Sequence, residues 1–267
     1  MRHRLVCFDA GFTLIRPRQT MAERLALVLA SHGHAAGEED LRRAWEAADE
    51  WFWEEYHRPG NVTWTDDGLI EETWRSYHQL MFRELGISDG DRRLLDAVLA
   101  SQFAVDAWEP YPDALPALET LRPGQAAEAG AAGAPRPAIG VVSDWSSNLA
   151  DVLAAAGLAP YVDFVLASGA IGLAKPAPEL FALACRRAGV EPAQAVMVGD
   201  SYRADVLGAR SAGMDGVLLD RAGEAADVEP GVPVIRSLEG LPAILGAVGA
   251  PTHLAHGSSA PPPRPAR

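Results

Sequence analysis

The chain has 267 residues, 48% of them hydrophobic, and a formal net charge of −13 at pH 7. This length and composition allow one large α/β domain or a core with a smaller inserted domain, and they exclude a chain that is disordered throughout. The negative charge argues against nucleic acid and anionic membrane as main partners. A local positive site for a phosphorylated small molecule is still compatible with it.

Cysteine usage and the apolar runs predict a cytoplasmic protein. The two cysteines, Cys7 and Cys185, give no disulfide framework, which is typical of a reducing cytosol. The apolar run near the N-terminus is interrupted by Asp9, so it does not read as a signal peptide. No apolar run is long enough to span a bilayer.

The first strand-like run ends in a carboxylate. Leu5–Phe8 is apolar at every position, which predicts a strand buried on both faces of a sheet. Asp9 follows directly and would lie at the carboxyl edge, where open parallel sheets bind ligands. Gly11 permits a sharp turn, and Thr13 places a hydroxyl beside the aspartate. The alternative for Asp9 alone is an ordinary turn or helix cap.

A helical segment follows this strand. Apolar residues at three- and four-residue spacing predict four helices, over 21–31, 38–57, 67–85 and 91–103. No strand is predicted here, and the segment holds five of the seven tryptophans. We therefore predict that residues 16–106 form an inserted all-α domain.

From residue 138 the pattern alternates between strands and helices, which favours a parallel sheet covered on both faces. Prolines on both sides of Tyr111 predict a stiff connector at 108–113. The predicted strands are 138–142, 164–167, 195–198, 216–219 and 232–235, and the predicted helices are 114–121, 147–157, 177–188 and 203–212. The core would comprise 1–15 and 107–249, with a flexible loop at 123–137 and a disordered tail at 250–267.

Polar side chains recur where the predicted strands end and in one loop between them. They are Asp9 with Thr13, Ser143, the lone lysine Lys175, and Asp200 with Asp205. Three carboxylates at one edge would repel each other unless a cation lay between them. Oxygen ligands without nearby His or Cys favour a hard ion, Mg²⁺ before Ca²⁺. Lys175 and Ser143 could hold phosphoryl oxygens, and Asp9 could attack phosphorus to form an aspartyl-phosphate.

Four segments resemble the four motifs of the haloacid dehalogenase superfamily. They are residues 8–14, 141–143, 172–176 and 199–205. The helical insertion is similar to the superfamily's first type of cap domain, and the resemblance covers nearly the whole chain. It implies an α/β fold with a Rossmann-like parallel sheet, an all-α helical cap, Mg²⁺ as cofactor, and phosphatase activity on a small phosphorylated metabolite.

The resemblance also implies roles for individual residues. Asp9 would be the nucleophile, and the backbone carbonyl of Gly11 would help to ligate the metal. Asp144 stands where members often carry Asn. The implied set is Asp9, Ser143 and Lys175 as catalytic residues; Thr13, Ser143, Asp144 and Lys175 as substrate-binding residues; and Asp9, Gly11, Asp200 and Asp205 as metal-binding residues.

One departure from the family pattern bears on mechanism. Phosphatases of this family usually carry a second Asp two residues after the nucleophile, where this chain has Gly11. That Asp protonates the leaving group and later activates water, and general acid–base catalysis contributes about 10²–10⁴-fold. Three explanations stay open: leaving groups that need little protonation, a proton donor from the cap, or slow or absent hydrolysis.

Two rival functions remain. The dehalogenases of the superfamily also lack the second Asp and need no metal, but their fourth motif tends to lose the first of its acids, and here Asp200 and Asp205 are both present. Members that cleave phosphonates need a cap lysine, which this chain does not have. The other rival is a non-catalytic binding protein that keeps the fold.

Several residues outside the motifs are weaker candidates. The tryptophan stripe of the insertion is interpreted as helix-bundle core, with Trp51 and Trp53 as the better pocket candidates because they lie off the stripe. The others are Trp145, Arg16 and Arg18 as possible site or anion contacts, and His57 and His78 as substitutes for the missing acid. We expect a monomer or homodimer that acts on a small phosphorylated substrate.

Overall fold

A computed structural model describes residues 2–58, 60–88, 92–122 and 136–247. The chain forms a six-stranded parallel sheet flanked by helices, with a helical segment inserted after the first strand. The predicted flexible loop 123–137, apart from its last two residues, and the predicted tail 250–267 lie outside the described residues.

The sheet places the opening strand at its centre. Its strand order is β5-β4-β1-β6-β7-β8. In register, Leu5 of β1 lies opposite Ala138 on β4 and Ala195 on β6. The strands of the molecule are β1 Leu5–Phe8, β2 Ile15–Pro17, β3 Trp108–Pro110, β4 Ala138–Ser143, β5 Phe164–Ala167, β6 Ala195–Gly199, β7 Asp215–Leu219 and β8 Val234–Ile235.

Helices cover both faces of this sheet. Val6 and Phe8 belong to one buried cluster, whereas Leu5 and Cys7 belong to another on the opposite face. All four side chains are fully buried, which confirms the interpretation of the unalternating apolar run. The helices are α1 Met21–Ser31, α2 Glu38–His57, α3 Asp67–Glu84, α4 Arg92–Gln102, α5 Ala114–Leu121, α6 Leu149–Ala155, α7 Ser168–Ile171, α8 Pro178–Ala188, α9 Gly208–Ser211 and α10 Leu241–Ala247.

The inserted segment, which we call the cap, contains α1 to α4 around its own apolar cluster. Its helices begin and end within two residues of the predicted bounds. Its α1 starts with a capping box, in which Thr20 and Glu23 satisfy each other's free backbone N–H groups. In the part of the chain that the structure describes, no helix combines the length and apolar character needed to cross a bilayer.

The prediction that residues 16–106 and the connector after them contain no strand is wrong. β2 pairs with β3 in a short antiparallel sheet at the entry to and exit from the cap, and Arg16 on β2 forms an ion pair with Glu109 on β3. Three-residue strands flanked by proline have too little periodicity to be recognised, and the partner strand is distant in sequence. The chain segments that lead into and out of the cap are therefore paired with each other through β2 and β3.

A second correction concerns the helix predicted at 203–212. The chain there forms a π-helical turn, Tyr202–Leu207, followed by the short α9. Such turns occur frequently at functional sites, because the extra residue redirects neighbouring side chains.

Asp113 accepts hydrogen bonds from three residues of the core domain. Its carboxylate accepts two hydrogen bonds from Arg221, each 2.9 Å, and further bonds from Ser237 Oγ at 2.8 Å and the Leu238 backbone N–H at 2.9 Å. Arg221 Nη2 also donates to the Thr13 carbonyl at 2.8 Å. Burial disfavours the charge of Asp113, but these partners outweigh it and hold its pKa below the usual value.

We expect Asp113→Asn to lower the free energy of unfolding by about 2 kcal/mol at pH 7, because a charge-assisted pair is broken while Arg221 stays half-buried. The contribution of the carboxylate is present above its unfolded pKa of about 3.9 and is lost as pH falls through the lower folded pKa. Urea unfolding at pH 7 and pH 3 measures both effects. Asp151→Asn, at an exposed position of α6, is the control. A wild-type-to-variant difference that is equal at both pH values would contradict this account.

Candidate active site

The candidate site lies at the carboxyl edge of the sheet, at the ends of its three central strands. Asp9 follows β1, Ser143 ends β4 and Asp200 follows β6. The Asp9 backbone N–H donates to the Val198 carbonyl at 2.9 Å, so the ladder between β1 and β6 continues up to the carboxylate. The convergence predicted from the strand ends is therefore present in the fold.

Lys175 joins two of the carboxylates. Its Nζ lies 2.6 Å from Asp9 Oδ1 and 2.7 Å from Asp205 Oδ1. The side chains are nearly inaccessible to solvent, with 5%, 8% and 1% exposure for Lys175, Asp9 and Asp205. The lone lysine is thus the cation that holds the nucleophile candidate beside an acidic residue 196 positions later in the chain.

Three carboxylates form a group that could hold a metal ion. Asp9, Asp200 and Asp205 each offer an oxygen, and these oxygens lie within 4.8 Å of one another. Oxygen donors of this kind suit Mg²⁺. The residues present therefore fit the predicted cofactor.

The segment after β6 is built around Asp205. A Cβ on Gly199 would lie 2.2 Å from Asp205 Oδ2, so only glycine lets the backbone pass this close. The Ser201 backbone N–H donates to the same oxygen at 3.0 Å, and the Ser201 hydroxyl caps the π-helical turn through the Ala204 N–H. Sequence reasoning missed Ser201, although a serine before a helix is a recognisable N-cap signal.

The charges of the site are strongly coupled. Asp200 is exposed towards the cavity, but desolvation by the surrounding protein together with the charges of Asp9 and Asp205 raises its pKa to about 8. Burial also raises the pKa of Asp205 to about 6, although Lys175 opposes this effect. For Lys175 itself, burial favours the neutral amine, but the surrounding carboxylates outweigh it and hold its pKa well above the usual value.

Asp144 contacts the backbone of Lys175. Its Oδ1 accepts a hydrogen bond from the Lys175 backbone N–H at 2.9 Å, while its buried Oδ2 has no hydrogen-bond partner. Burial raises the pKa of Asp144 to about 7, against the opposing effect of Lys175. We assign Asp144 to the positioning of the Lys175 loop, in addition to its place on the wall of the cavity described below.

Thr13 is buried behind the site. It is fully inaccessible, and its hydroxyl donates to Asp200 Oδ1 at 3.3 Å. It does not line the cavity. In place of the predicted substrate contact, we therefore assign Thr13 to the orientation of Asp200.

The turn after the nucleophile is made by a different residue from the one expected. Phe12, not Gly11, has a left-handed φ, of +56°. A bulky residue in this region is strained, by about 1–3 kcal/mol. The Arg221 guanidinium donates to the carbonyls of Phe12 and Thr13, which holds the strained turn in place.

The space beside Gly11 is filled by an indole ring. A Cβ at position 11 would lie 3.1 Å from Cζ3 of Trp145. Trp145 in turn packs edge-on against Trp108 with 4.6 Å between ring centroids. The position at which the family usually carries its second Asp therefore faces an apolar ring.

A cavity of about 1230 Å³ separates the cap from the core and reaches Asp9, Ser143 and Lys175. Most of its apolar wall is aromatic. The aromatic lining residues are Phe12, Trp45, Phe52, Trp53, Tyr56, Trp64, Trp74, Tyr77, Phe103, Trp108 and Trp145. The stripe interpreted as bundle core has two roles: Trp45 and Trp74 pack against the apolar cluster of the cap and also line the cavity. Trp64 lines the cavity as well. Trp53 lines the cavity as predicted, whereas Trp51 packs against the apolar cluster of the cap and does not.

The remaining candidates lie elsewhere or are already paired. Arg16 and Arg18 both contact Glu109 at the entry to the cap. His78 is buried inside the cap, and burial lowers its pKa to about 3, so it does not replace the missing acid. The side chain of His57 lies outside the described part of the chain.

Beyond the β2–β3 pair, polar contacts join the cap to the loop that follows β4. Asp67, at the start of α3, accepts hydrogen bonds from the backbone N–H and the hydroxyl of Ser147, the former at 2.8 Å. The Asn148 side-chain amide donates to the Phe103 carbonyl at 3.0 Å. Both contacts lie in the loop that follows β4, next to Trp145. Nothing in the sequence marked them, because Asp67 reads as an ordinary residue of a first helical turn.

A model of the haloacid dehalogenase-like hydrolases matches residues 3–213. The chain belongs to this family. A curated bovine relative, haloacid dehalogenase-like hydrolase domain-containing protein 3, is 31% identical over 223 residues, 81% of each chain. A glyceraldehyde 3-phosphate phosphatase from Methanopyrus kandleri is 35% identical over 155 residues, 58% of this chain and 62% of that one.

Solved structures of this family show the same fold. A HAD phosphatase from Thermococcus onnurineus has a TM-score of 0.56 and 26% identity over 91% of this chain and 98% of its own. A 2-haloacid dehalogenase from Pseudomonas syringae has a TM-score of 0.61 and 25% identity over the same shares. The protein is a hydrolase of the haloacid dehalogenase-like family, and both chemistries occur among its structural neighbours.

The raised pKa values generate a prediction about metal affinity. Because the pKa values of Asp200 and Asp205 are raised without a metal, Mg²⁺ has to displace protons from this pair as it binds. We expect the Kd for Mg²⁺ to fall by up to about tenfold per pH unit between pH 6 and pH 8, for each proton displaced. Calorimetry in buffers of different ionisation enthalpy measures both the Kd and the released protons. A pH-independent Kd without proton release would show that both groups are already ionised.

The contact between Asp67 and Ser147 generates a prediction about how tightly the cap packs on the core. Asp67→Ala removes hydrogen bonds to a charged group that contribute about 1.5–3 kcal/mol, which favours separation of cap and core. We expect acrylamide to quench tryptophan fluorescence more strongly in this variant, since four cap tryptophans line the intervening cavity. Asp40→Ala, at an exposed position where the carboxylate is paired with Arg43 on the same helix, is the control. Equal quenching in the wild type and Asp67→Ala would mean that other contacts hold the cap.

Proposed function

We propose that this hydrolase is a Mg²⁺-dependent phosphatase that cleaves a phosphomonoester of a small molecule through an aspartyl-phosphate on Asp9. The proposal is supported by one observation above all. The Lys175 ammonium lies between Asp9 and Asp205, with Asp200 completing a group of three carboxylates. An anionic nucleophile that attacks an anionic phosphoryl group requires this kind of cationic environment.

The residues of the site have separate roles in the proposed reaction. An Asp9 carboxylate oxygen attacks phosphorus, the ester P–O bond breaks, and its electron pair leaves with the ester oxygen. Water then attacks the phosphorus of the aspartyl-phosphate, which releases inorganic phosphate and restores the carboxylate. Ser143 and Lys175 hold the phosphoryl oxygens, and Asp144 keeps the Lys175 loop in position. The cap limits the access of water to the reacting group.

Mg²⁺ would be held by Asp9, Asp200, Asp205 and the Gly11 carbonyl, and when bound it supplies positive charge that screens the nucleophile from the phosphoryl group. Thr13 and Ser201 support this set by orienting Asp200 and Asp205. The predicted monomer or homodimer in the cytoplasm, with neither nucleic acid nor membrane as partner, remains a prediction from the sequence.

The dehalogenase alternative is kept because a 2-haloacid dehalogenase is among the structural neighbours. It requires Asp9 to attack carbon and gives no role to a group of three carboxylates. That group favours the phosphatase. A non-catalytic role is disfavoured by the same residues, because two nearly inaccessible carboxylates held by one lysine are costly to keep without a function.

The decisive experiment measures phosphate release from p-nitrophenyl phosphate and acetyl phosphate, with Mg²⁺ or with a chelator. We expect release that depends on Mg²⁺ and falls at least about 10³-fold in Asp9→Asn, because the nucleophile is removed. Asp151→Asn removes an exposed carboxylate of α6 and should leave the rate unchanged.

Chloride release from 2-chloropropionate is followed on the same samples. Metal-independent chloride release that is lost in Asp9→Asn would replace the phosphatase by a dehalogenase. The absence of both activities in folded protein would contradict the proposal and favour a binding role.

A further inference from the structure

We propose that the substrate of this site is an aryl phosphomonoester, in which the phosphate is carried by an uncharged aromatic ring that occupies the cavity under the cap. This inference rests on the proposed phosphatase function and adds the chemical class of the leaving group. Three independent features of the described residues support it.

The first feature is the environment of Gly11. It has no side chain that could protonate a leaving oxygen, and the Trp145 ring lies where such a side chain would project. With no side chain at position 11 to donate a proton, a leaving group that can depart as an anion is favoured. A phenol has a pKa of about 10, as tyrosine does, whereas that of an aliphatic alcohol is close to the roughly 16 of water. Only the aryl oxygen leaves readily without a proton donor.

The second feature is the wall of the cavity. Its volume of about 1230 Å³ exceeds the roughly 300–1,000 Å³ of common small-molecule pockets. Phe52 forms the centre of an aromatic cluster in the cap, stacked on Trp74 with 5.2 Å between centroids and on Tyr56 with 6.2 Å. On the core side Trp108 and Trp145 meet edge-to-face. Such surfaces bind flat rings by stacking and edge contacts.

The third feature is the charge of the cavity. Among the described lining residues, the arginines are Arg24 and Arg42, and both already have partners. Arg24 donates to the Ser101 carbonyl, and Arg42 is paired with Glu39 and Glu46. Glu23, Glu38 and Asp49 also line the cavity. A leaving group with a second anionic group, such as a carboxylate or another phosphate, would therefore find three acidic neighbours, an Arg42 that is paired with two glutamates, and an Arg24 whose side chain is bonded to a backbone carbonyl.

The reaction balances without a further reactant. The aryl oxygen–phosphorus bond breaks, its electron pair stays on the aryloxide, and the aryloxide takes a proton from solvent after release. Water cleaves the aspartyl-phosphate to inorganic phosphate, as in the proposed mechanism.

Two esters of matched size provide the test. Phenyl phosphate and cyclohexyl phosphate differ little in volume but greatly in the pKa of the leaving group. We expect kcat/KM for phenyl phosphate to be at least about 100-fold higher, the lower bound of what a general acid contributes. It should also exceed kcat/KM for O-phosphoserine, whose leaving group is charged. In a variant that carries both Gly11→Asp and Trp145→Ala, the ratio of kcat/KM for phenyl phosphate to kcat/KM for cyclohexyl phosphate should fall towards one.

Binding is measured separately, in the inactive Asp9→Asn protein. Phenylphosphonate should bind more tightly than methylphosphonate, and Trp53→Ala should weaken phenylphosphonate binding by about tenfold because an aromatic contact is lost. Trp51→Ala removes the same side chain two residues away on α2, where it packs against the cap's apolar cluster, and should leave the affinity unchanged.

The failures of the two proposals are distinguishable. Similar rates for phenyl and cyclohexyl phosphate, or a preference for O-phosphoserine, would overturn the aryl substrate while the phosphatase stands. Equal affinity for phenylphosphonate and methylphosphonate would overturn the aromatic site. A lack of Asp9-dependent phosphate release from every ester would overturn the phosphatase, and the aryl proposal with it.

Discussion

The ion pairs of Lys175 with Asp9 and Asp205 are the interaction on which the site depends. Carboxylates packed at one sheet edge repel each other, and burial raises the free energy of their charged forms. One ammonium between them compensates part of this cost, at 2.6 and 2.7 Å. The surrounding residues keep this arrangement in place: Asp144 holds the backbone of Lys175, Gly199 leaves room for Asp205, and Ser201 donates to it. The uncompensated negative charge that remains is what makes the site suitable for a divalent cation.

The cap and the core contribute different chemistry to one cavity. The core supplies the carboxylates, the lysine and serine hydroxyls near the sheet edge, whereas most of the aromatic side chains that line the cavity come from the cap. The β2–β3 pair ties the two ends of the cap together, and Arg221 stabilises the strained turn at Phe12 between them. In the proposed function, the reaction type is therefore set by the sheet edge, and the choice of leaving group is set by the cap and by Trp145.

The sequence was most informative where a rule of local chemistry applies. An unbroken apolar run ending at Asp9 indicated a buried strand, and the alternation after residue 137 indicated the parallel sheet. It was least informative for contacts between distant segments. The pairing of β2 with β3, the bond from Thr13 to Asp200 and the bond from Asp67 to Ser147 each join residues more than 75 positions apart. Trp45 and Trp74 were expected only in the bundle core, yet they also line the cavity. Spacing along a helix shows which residues share a face, but not whether that face meets a helix or a cavity.

The sequence by itself determined the fold class, the family and the identities of the polar residues at the sheet edge. These depend on periodicity, on strands that end in Asp or Ser, and on the position of the lone lysine, all of which can be read locally. Only the tertiary structure decided which oxygens Lys175 binds, that Phe12 carries the strained turn, and that the Trp145 ring covers Gly11. The reason is physical: side-chain contacts across the sheet edge and the cavity depend on how distant elements pack, and that packing leaves no periodic trace in the chain.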